Sequence, residues 1–146
     1  MLEVYKKILS YVPKEKYLAY IGIILSMASV VLKVFAYYYL SRFLVELIIF
    51  NNISDAKSYA LIIVGLLVGG ITLYGVAGLV THILGFRLET NLRKYGIRGL
   101  SKASFSFFDT HPSGKTRKII DDNASQTHMI VAHLIPDNAG AILMPI

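Results

Sequence analysis

Two long runs of apolar residues organise this chain, and the charged residues are displaced to their ends. Residues 58–86 form a run of twenty-nine without Lys, Arg, Asp or Glu, whereas a helix needs about 20 apolar residues to cross a bilayer. That pattern predicts a membrane-spanning helix. The earlier run, 17–40, is broken once, by Lys33, and its uncharged part, 17–32, is sixteen residues long. A lysine stem can carry its ammonium toward an interface, so the first span is expected to continue through Lys33 to Phe50. A cleaved signal peptide fits poorly, because the run is too long and no small-x-small site leads into a soluble domain.

Past the second run, the charges in 87–103 fall at helical spacing with no proline, and Glu89 precedes Arg93 by four residues in the favoured order. The second helix is therefore expected to leave the membrane and project about 25 Å further, at the usual rise per residue. Pro112 and Gly114 then punctuate an aromatic turn. Residues 115–135 follow as a returning helix with Ile120, Ala124, Thr127, Val131 and Leu134 on one stripe. A break at 136–140 gives way to an oily run, 141–146, taken as the start of a third span. The resulting segments are 1–16 before the membrane, a first span 17–50, a turn 51–57, a second span with its extension 58–103, a tip 104–114, and the returning helix with the incomplete third span 115–146.

Composition agrees with an all-α membrane protein. Hydrophobic residues make up 55% of the chain, charged residues 16%, and the mean hydropathy is +0.57, which excludes a disordered segment or nucleic-acid-binding tail. The net charge of +6 comes from positives grouped around the spans. Lys6, Lys7, Lys14 and Lys16 precede the first; Arg87, Arg93, Lys94, Arg98 and Lys102 follow the second; only Arg42 and Lys57 lie between them. Both outer flanks should therefore be cytoplasmic and the turn at 51–55 external. The absence of cysteine removes thiolate chemistry from this segment.

Few residues suggest chemistry. Ser113-Gly114-Lys115-Thr116 looks like the end of a phosphate-binding loop, but Asp109 occupies the position of the required first glycine and no buried strand precedes it. Lys33, inside an apolar segment, is a candidate for a polar pathway; its alternative is to snorkel to the outer interface. Tyr37 and Tyr38 could line a substrate cavity or belong to an interfacial aromatic belt. Arg42 and Glu46 have the spacing of a structural ion pair. Gly75, Gly78, His82, Gly85 and Glu89 form a small and polar stripe, and Gly65-x-x-x-Gly69 adds a second small pair; helix packing is the favoured role, with a substrate-facing His82 as the alternative. His128 and His133, five apart, should lie on different helix faces, so no metal site is expected there.

The tip carries a resemblance. The turn from Ser106 to Gly114, which follows Phe105 and reads Phe107-Phe108-Asp109-Thr110-His111-Pro112-Ser113-Gly114 after its serine, is similar to the first intracellular loop of ABC exporters of the six-helix, type I transmembrane fold. Thr116, Ile119 and Asn123 depart from the usual residues after that loop, and the stretch 114–137 is similar instead to a divergent microbial ATP-binding/permease branch. The resemblance implies a permease-domain fragment that contributes to a substrate pathway. Its short coupling helix, about 105–113, would seat on a cytosolic nucleotide-binding domain. It also implies a second transporter half, homodimeric or heterodimeric, and ATP with magnesium held outside this chain. The fragment alone should neither bind nor hydrolyse ATP. A two-span sensor is the competing class, although its external connection would be too short for a ligand-binding domain. A small channel built on the glycine stripe would leave the protruding helices without a role.

Overall fold

The computed structural model describes residues 2–143, which form five helices and, among the described residues, no strand. They are α1 (Leu2–Leu9), α2 (Lys16–Ile48), α3 (Ile53–Leu100), α4 (Phe105–Thr110) and α5 (Ser113–Leu143). At 48 residues α3 extends about 72 Å at 1.5 Å per residue, more than twice a hydrocarbon core of about 30 Å. Only 28% of the most apolar window of α2 and 11% of that of α3 is buried, so these are not core helices of a water-soluble domain. Their exposed apolar surface requires lipid or further helices.

The α2–α3 turn is shorter than the expected 51–57. Asn51 adopts a left-handed conformation, φ 51°, which asparagine tolerates better than most residues. Asn52 caps α3: its Oδ1 accepts from the Asp55 backbone N–H at 3.3 Å, while its Nδ2 donates to Asp55 Oδ2 at 2.7 Å. That reciprocal cap satisfies a helix-start donor and lets α3 begin at Ile53.

The described residues divide into two packed units. One comprises 2–20 and 79–135. Its α3 and α5 segments run antiparallel, matching position 81 with 132, 85 with 128 and 96 with 120. Thr81, Leu84, Leu88, Ala124, Val131 and Ala132 are buried. Before α2 the chain makes an elbow in which Val12 is wholly buried, Asn91 Nδ2 donates to the Tyr11 carbonyl at 2.9 Å, and Tyr11 meets Tyr95 edge to face. The other unit comprises 21–78 and 136–143. There Ser29 Oγ donates to the Gly70 carbonyl at 2.8 Å, and a Cβ on Gly69 would lie 3.4 Å from Leu32. Small residues let these backbones approach closely.

Three sequence expectations are corrected. The returning helix does not break after Ile135: α5 continues through Pro136 to Leu143. Proline cannot donate to the carbonyl four residues earlier, and here that carbonyl, Ala132 O, accepts from Thr81 Oγ1 at 3.0 Å. A neighbouring helix thus replaces the missing donor. Residues 144–146, and with them half of the oily run, lie outside the described residues. The α5 stripe also changes register, with Leu134 43% exposed while Ile135 and Ala139 are buried. Finally, the ion pairs among the described residues do not include Arg42 with Glu46; Arg42 is exposed and can remain solvated.

The repair of Pro136 gives a prediction. Thr81→Val keeps the side-chain shape but removes the Thr81 bond to the Ala132 carbonyl, which should destabilise the fold by about 1–3 kcal/mol. Thermal unfolding in detergent checks it: a lower midpoint is expected for Thr81→Val, with Thr81→Ser retained near wild type.

Candidate functional site

The tip is built by two long helices that end close together in sequence. After α3 the chain turns at 101–104, α4 contributes six residues, and Pro112 starts α5 by accepting the Thr116 N–H at 3.1 Å. No α4 residue is buried. Its three phenylalanines nevertheless differ. Phe107 stacks on His111, with centroids 4.5 Å apart and planes at 3°, and meets Phe108 edge to face. Phe108 also lines a cavity of about 570 Å³ with Ile97, Leu100, Ser101, Ser113, Gly114 and Arg117. Phe105 turns the other way and is 95% exposed. Phe107 and Phe108 brace the turn, and Phe105 is the apolar group it presents.

Asp109 and Thr110 are exposed beside it. Thr110 Oγ1 lies 2.9 Å from His111 Nδ1, which links the end of α4 to the Phe107 stack. Ser113 and Gly114 form the first turn of α5. The tetrapeptide that looked like part of a phosphate loop is therefore helical, and Gly114 has open space around its Cα.

Lys33 faces an aromatic ring of α3. Helical side chains lean toward the N-terminus of their helix, and the Lys33 ammonium lies 5.0 Å from the centroid of the Tyr74 ring. The Tyr74 hydroxyl donates to Asp137 Oδ1 at 2.8 Å. These three residues share a cavity of about 250 Å³ with Ser26, Val30, Pro136, Gly140 and Ala141. Sequence reasoning missed Ser26, Tyr74 and Asp137; the one signal for them was a lone carboxylate directly after Pro136 at the start of an apolar run. Tyr37 and Tyr38, 59% and 58% exposed, are not among the lining residues. Tyr38 packs edge to face with Tyr39, and Tyr39 lies 6.0 Å from Tyr59.

His82 joins two residues expected on different faces of α5. Its ring lies 5.6 Å from that of His128 and 5.2 Å from that of His133. His128 Nδ1 is 3.0 Å from Glu89 Oε2; Glu89 Oε1 is 2.7 Å from Arg93, which in turn reaches Asp121 at 3.3 Å. This chain of polar contacts joins α3 to α5, with Glu89 and the His128 side chain mostly buried. Among the described residues, no group of three His, Cys, Asp or Glu side chains has metal-binding geometry.

Of the singled-out glycines, Gly85 and Gly69 lie against neighbours, His128 and Leu32 respectively. A Cβ at Gly65, Gly75 or Gly78 would meet nothing within 4 Å. The buried residues of this part of α3 are Ala77, Thr81, Leu84, Gly85 and Leu88, so the glycine stripe joins the buried face at Gly85.

A family model described as the ABC transporter transmembrane region matches residues 19–145. Among curated proteins, the chain is similar to the mycobactin import ATP-binding/permease protein IrtA of Mycobacterium tuberculosis, with 30% identity over 83 residues, covering 57% of this chain and 10% of that protein. It is also similar to the protein of the same name from Mycolicibacterium smegmatis, with 25% identity over 65 residues, 44% of this chain and 8% of that protein. The matched segments span about a tenth or less of these relatives. No solved structure matches the chain.

Proposed function

The chain belongs to the ABC transporter transmembrane region family, and from that premise we propose that it carries the first coupling loop and part of the substrate pathway of an ATP-driven transporter. The tip, Phe105 to Gly114, docks on a nucleotide-binding domain. ATP and magnesium are held by that domain, and a second transporter half, identical or not, completes the pathway. Both flanks of the α2–α3 hairpin are cytoplasmic, in keeping with the Lys and Arg asymmetry. Lys33, Tyr37 and Tyr38 contribute to the pathway, with His82 further along α3. Gly65 and Gly75, where a Cβ would meet nothing within 4 Å, leave room for further helices to pack closely. The relatives are named for mycobactin import, which makes import a direction to test beside the export implied by the loop's resemblance.

The observation that carries this reading is Phe105. A phenylalanine 95% exposed at the end of two long helices is an apolar liability unless a partner covers it. A sensor reading has no equivalent support, since the α2–α3 turn is only a few residues long.

A photoreactive benzophenone side chain placed at position 105 of the full-length transporter tests the docking. Crosslinking to the nucleotide-binding domain is expected. Crosslinks to lipid alone, or to nothing, would remove the coupling role.

A further inference from the structure

The cavity beside Lys33 brings together a buried hydroxyl without a partner and an ammonium without an ion pair, among the described residues. Ser26 is 1% exposed, lines the cavity, and its hydroxyl has no hydrogen-bond partner among the described residues. Lys33 brings an ammonium with three donors and, among the described residues, forms no ion pair within 4 Å; the group it faces is the Tyr74 ring. Asp137 lines the same space and accepts from the Tyr74 hydroxyl through Oδ1, but it is not among the carboxylates within 4 Å of a cation. An unfilled hydroxyl and an unpaired ammonium within an apolar span are unfavourable unless an acceptor reaches them.

We propose that the cavity formed by Ser26, Lys33, Tyr74 and Asp137 is a binding subsite for an anionic group, a carboxylate or phosphate, carried by an amphiphilic ligand. Its volume, about 250 Å³, lies below the usual range of about 300–1,000 Å³ for a drug-sized ligand, so it takes one functional group while the rest of the molecule lies outside. The apolar wall of Val30, Pro136, Gly140 and Ala141 suits the first carbons behind that group. Such a group could come from a transported solute or from an acidic membrane lipid, and the recognition chemistry is shared. This inference deepens the pathway assigned to Lys33 above.

Because the chain contains no cysteine, Ser26→Cys introduces a single thiol into this segment. In the full-length transporter, with any cysteines elsewhere replaced, an anionic methanethiosulfonate reagent should react at that thiol about tenfold faster than its cationic counterpart, if the Lys33 ammonium outweighs the Asp137 carboxylate tied to Tyr74 as the subsite demands. Adding Lys33→Met should abolish the preference, and Lys33→Arg should keep it. The anionic reaction should then be slowed either by oleate in phosphatidylcholine vesicles, identifying a free amphiphile, or by including phosphatidylglycerol in the vesicles, identifying bilayer lipid. Equal or reversed charge preference, no reaction at Ser26→Cys, or protection by neither probe would overturn the subsite. The crosslink at position 105 is independent of this result: an intact crosslink with no charge preference removes the subsite alone, whereas a lost crosslink removes the coupling reading.

Discussion

Replacing Phe105 by alanine in the full-length transporter is expected to lower transport about thirtyfold while nucleotide affinity stays near wild type. Covering an exposed phenylalanine in a partner's groove contributes about 2 kcal/mol, and each 1.4 kcal/mol is a factor of ten in an equilibrium. The effect should fall on coupling because Phe105 is 95% exposed and α4 buries none of its residues, so the substitution removes little intramolecular packing. Vesicle uptake or efflux measured beside nucleotide binding separates the two quantities. Unchanged transport would reject the docking role. Phe107→Ala should act differently: it removes the stack on His111 and the edge contact with Phe108, so it loosens the tip and lowers its thermal stability as well.

The second large effect is expected at Gly96. A Cβ there would lie 2.6 Å from Ile120 Cγ2 and 3.0 Å from Cδ1, well inside the optimal carbon–carbon separation of about 3.5–4.0 Å. Cγ2 sits on the branch point of a side chain that is stiff at χ1 in helices. Relief therefore requires a poor rotamer or a shift of α3 away from α5, and overpacking of this kind costs about 1–3 kcal/mol. Gly96→Ala should lower the unfolding midpoint in detergent, Gly96→Val should lower it further, and Ile120→Ala should restore much of the loss. Three residues on, a Cβ at Gly99 would meet nothing within 4 Å. Gly99→Ala should be neutral or stabilising, since alanine favours a helix over glycine by about 1 kcal/mol. Equal destabilisation at both sites would show that helix approach is not what position 96 protects.

The glycine stripe illustrates how far sequence reasoning reached. Spacing put Gly75, Gly78, His82, Gly85 and Glu89 on one face of α3, and the helical geometry makes that arrangement correct. The buried seam takes in that stripe at Gly85, beside Ala77, Thr81, Leu84 and Leu88, whereas a Cβ at Gly75 or Gly78 would meet nothing within 4 Å. Periodicity identifies residues that share a face, but when apolar residues surround a helix it cannot choose which face meets a neighbour. The His82 cluster shows the same difficulty. His128 and His133 diverge around α5, yet a ring on another helix can lie near both. At the tip, the motif was legible in the sequence; the division of work between a presented Phe105 and bracing Phe107 and Phe108 came from the fold.

Sequence alone determined the solvent and the gross order: two apolar helices suited to lipid, a charged continuation, and an aromatic turn. These follow from hydropathy and local spacing, summed along the chain without reference to any partner. Tertiary structure decided that α5 survives Pro136, with Thr81 donating to the carbonyl left open, and that the Lys33 ammonium faces the Tyr74 ring in a cavity shared with Ser26 and Asp137. Those outcomes depend on the rotation and register of helices distant in sequence. An unpaired carbonyl or an unpaired ammonium states only that a partner is needed; which residue supplies it is set when the helices mesh.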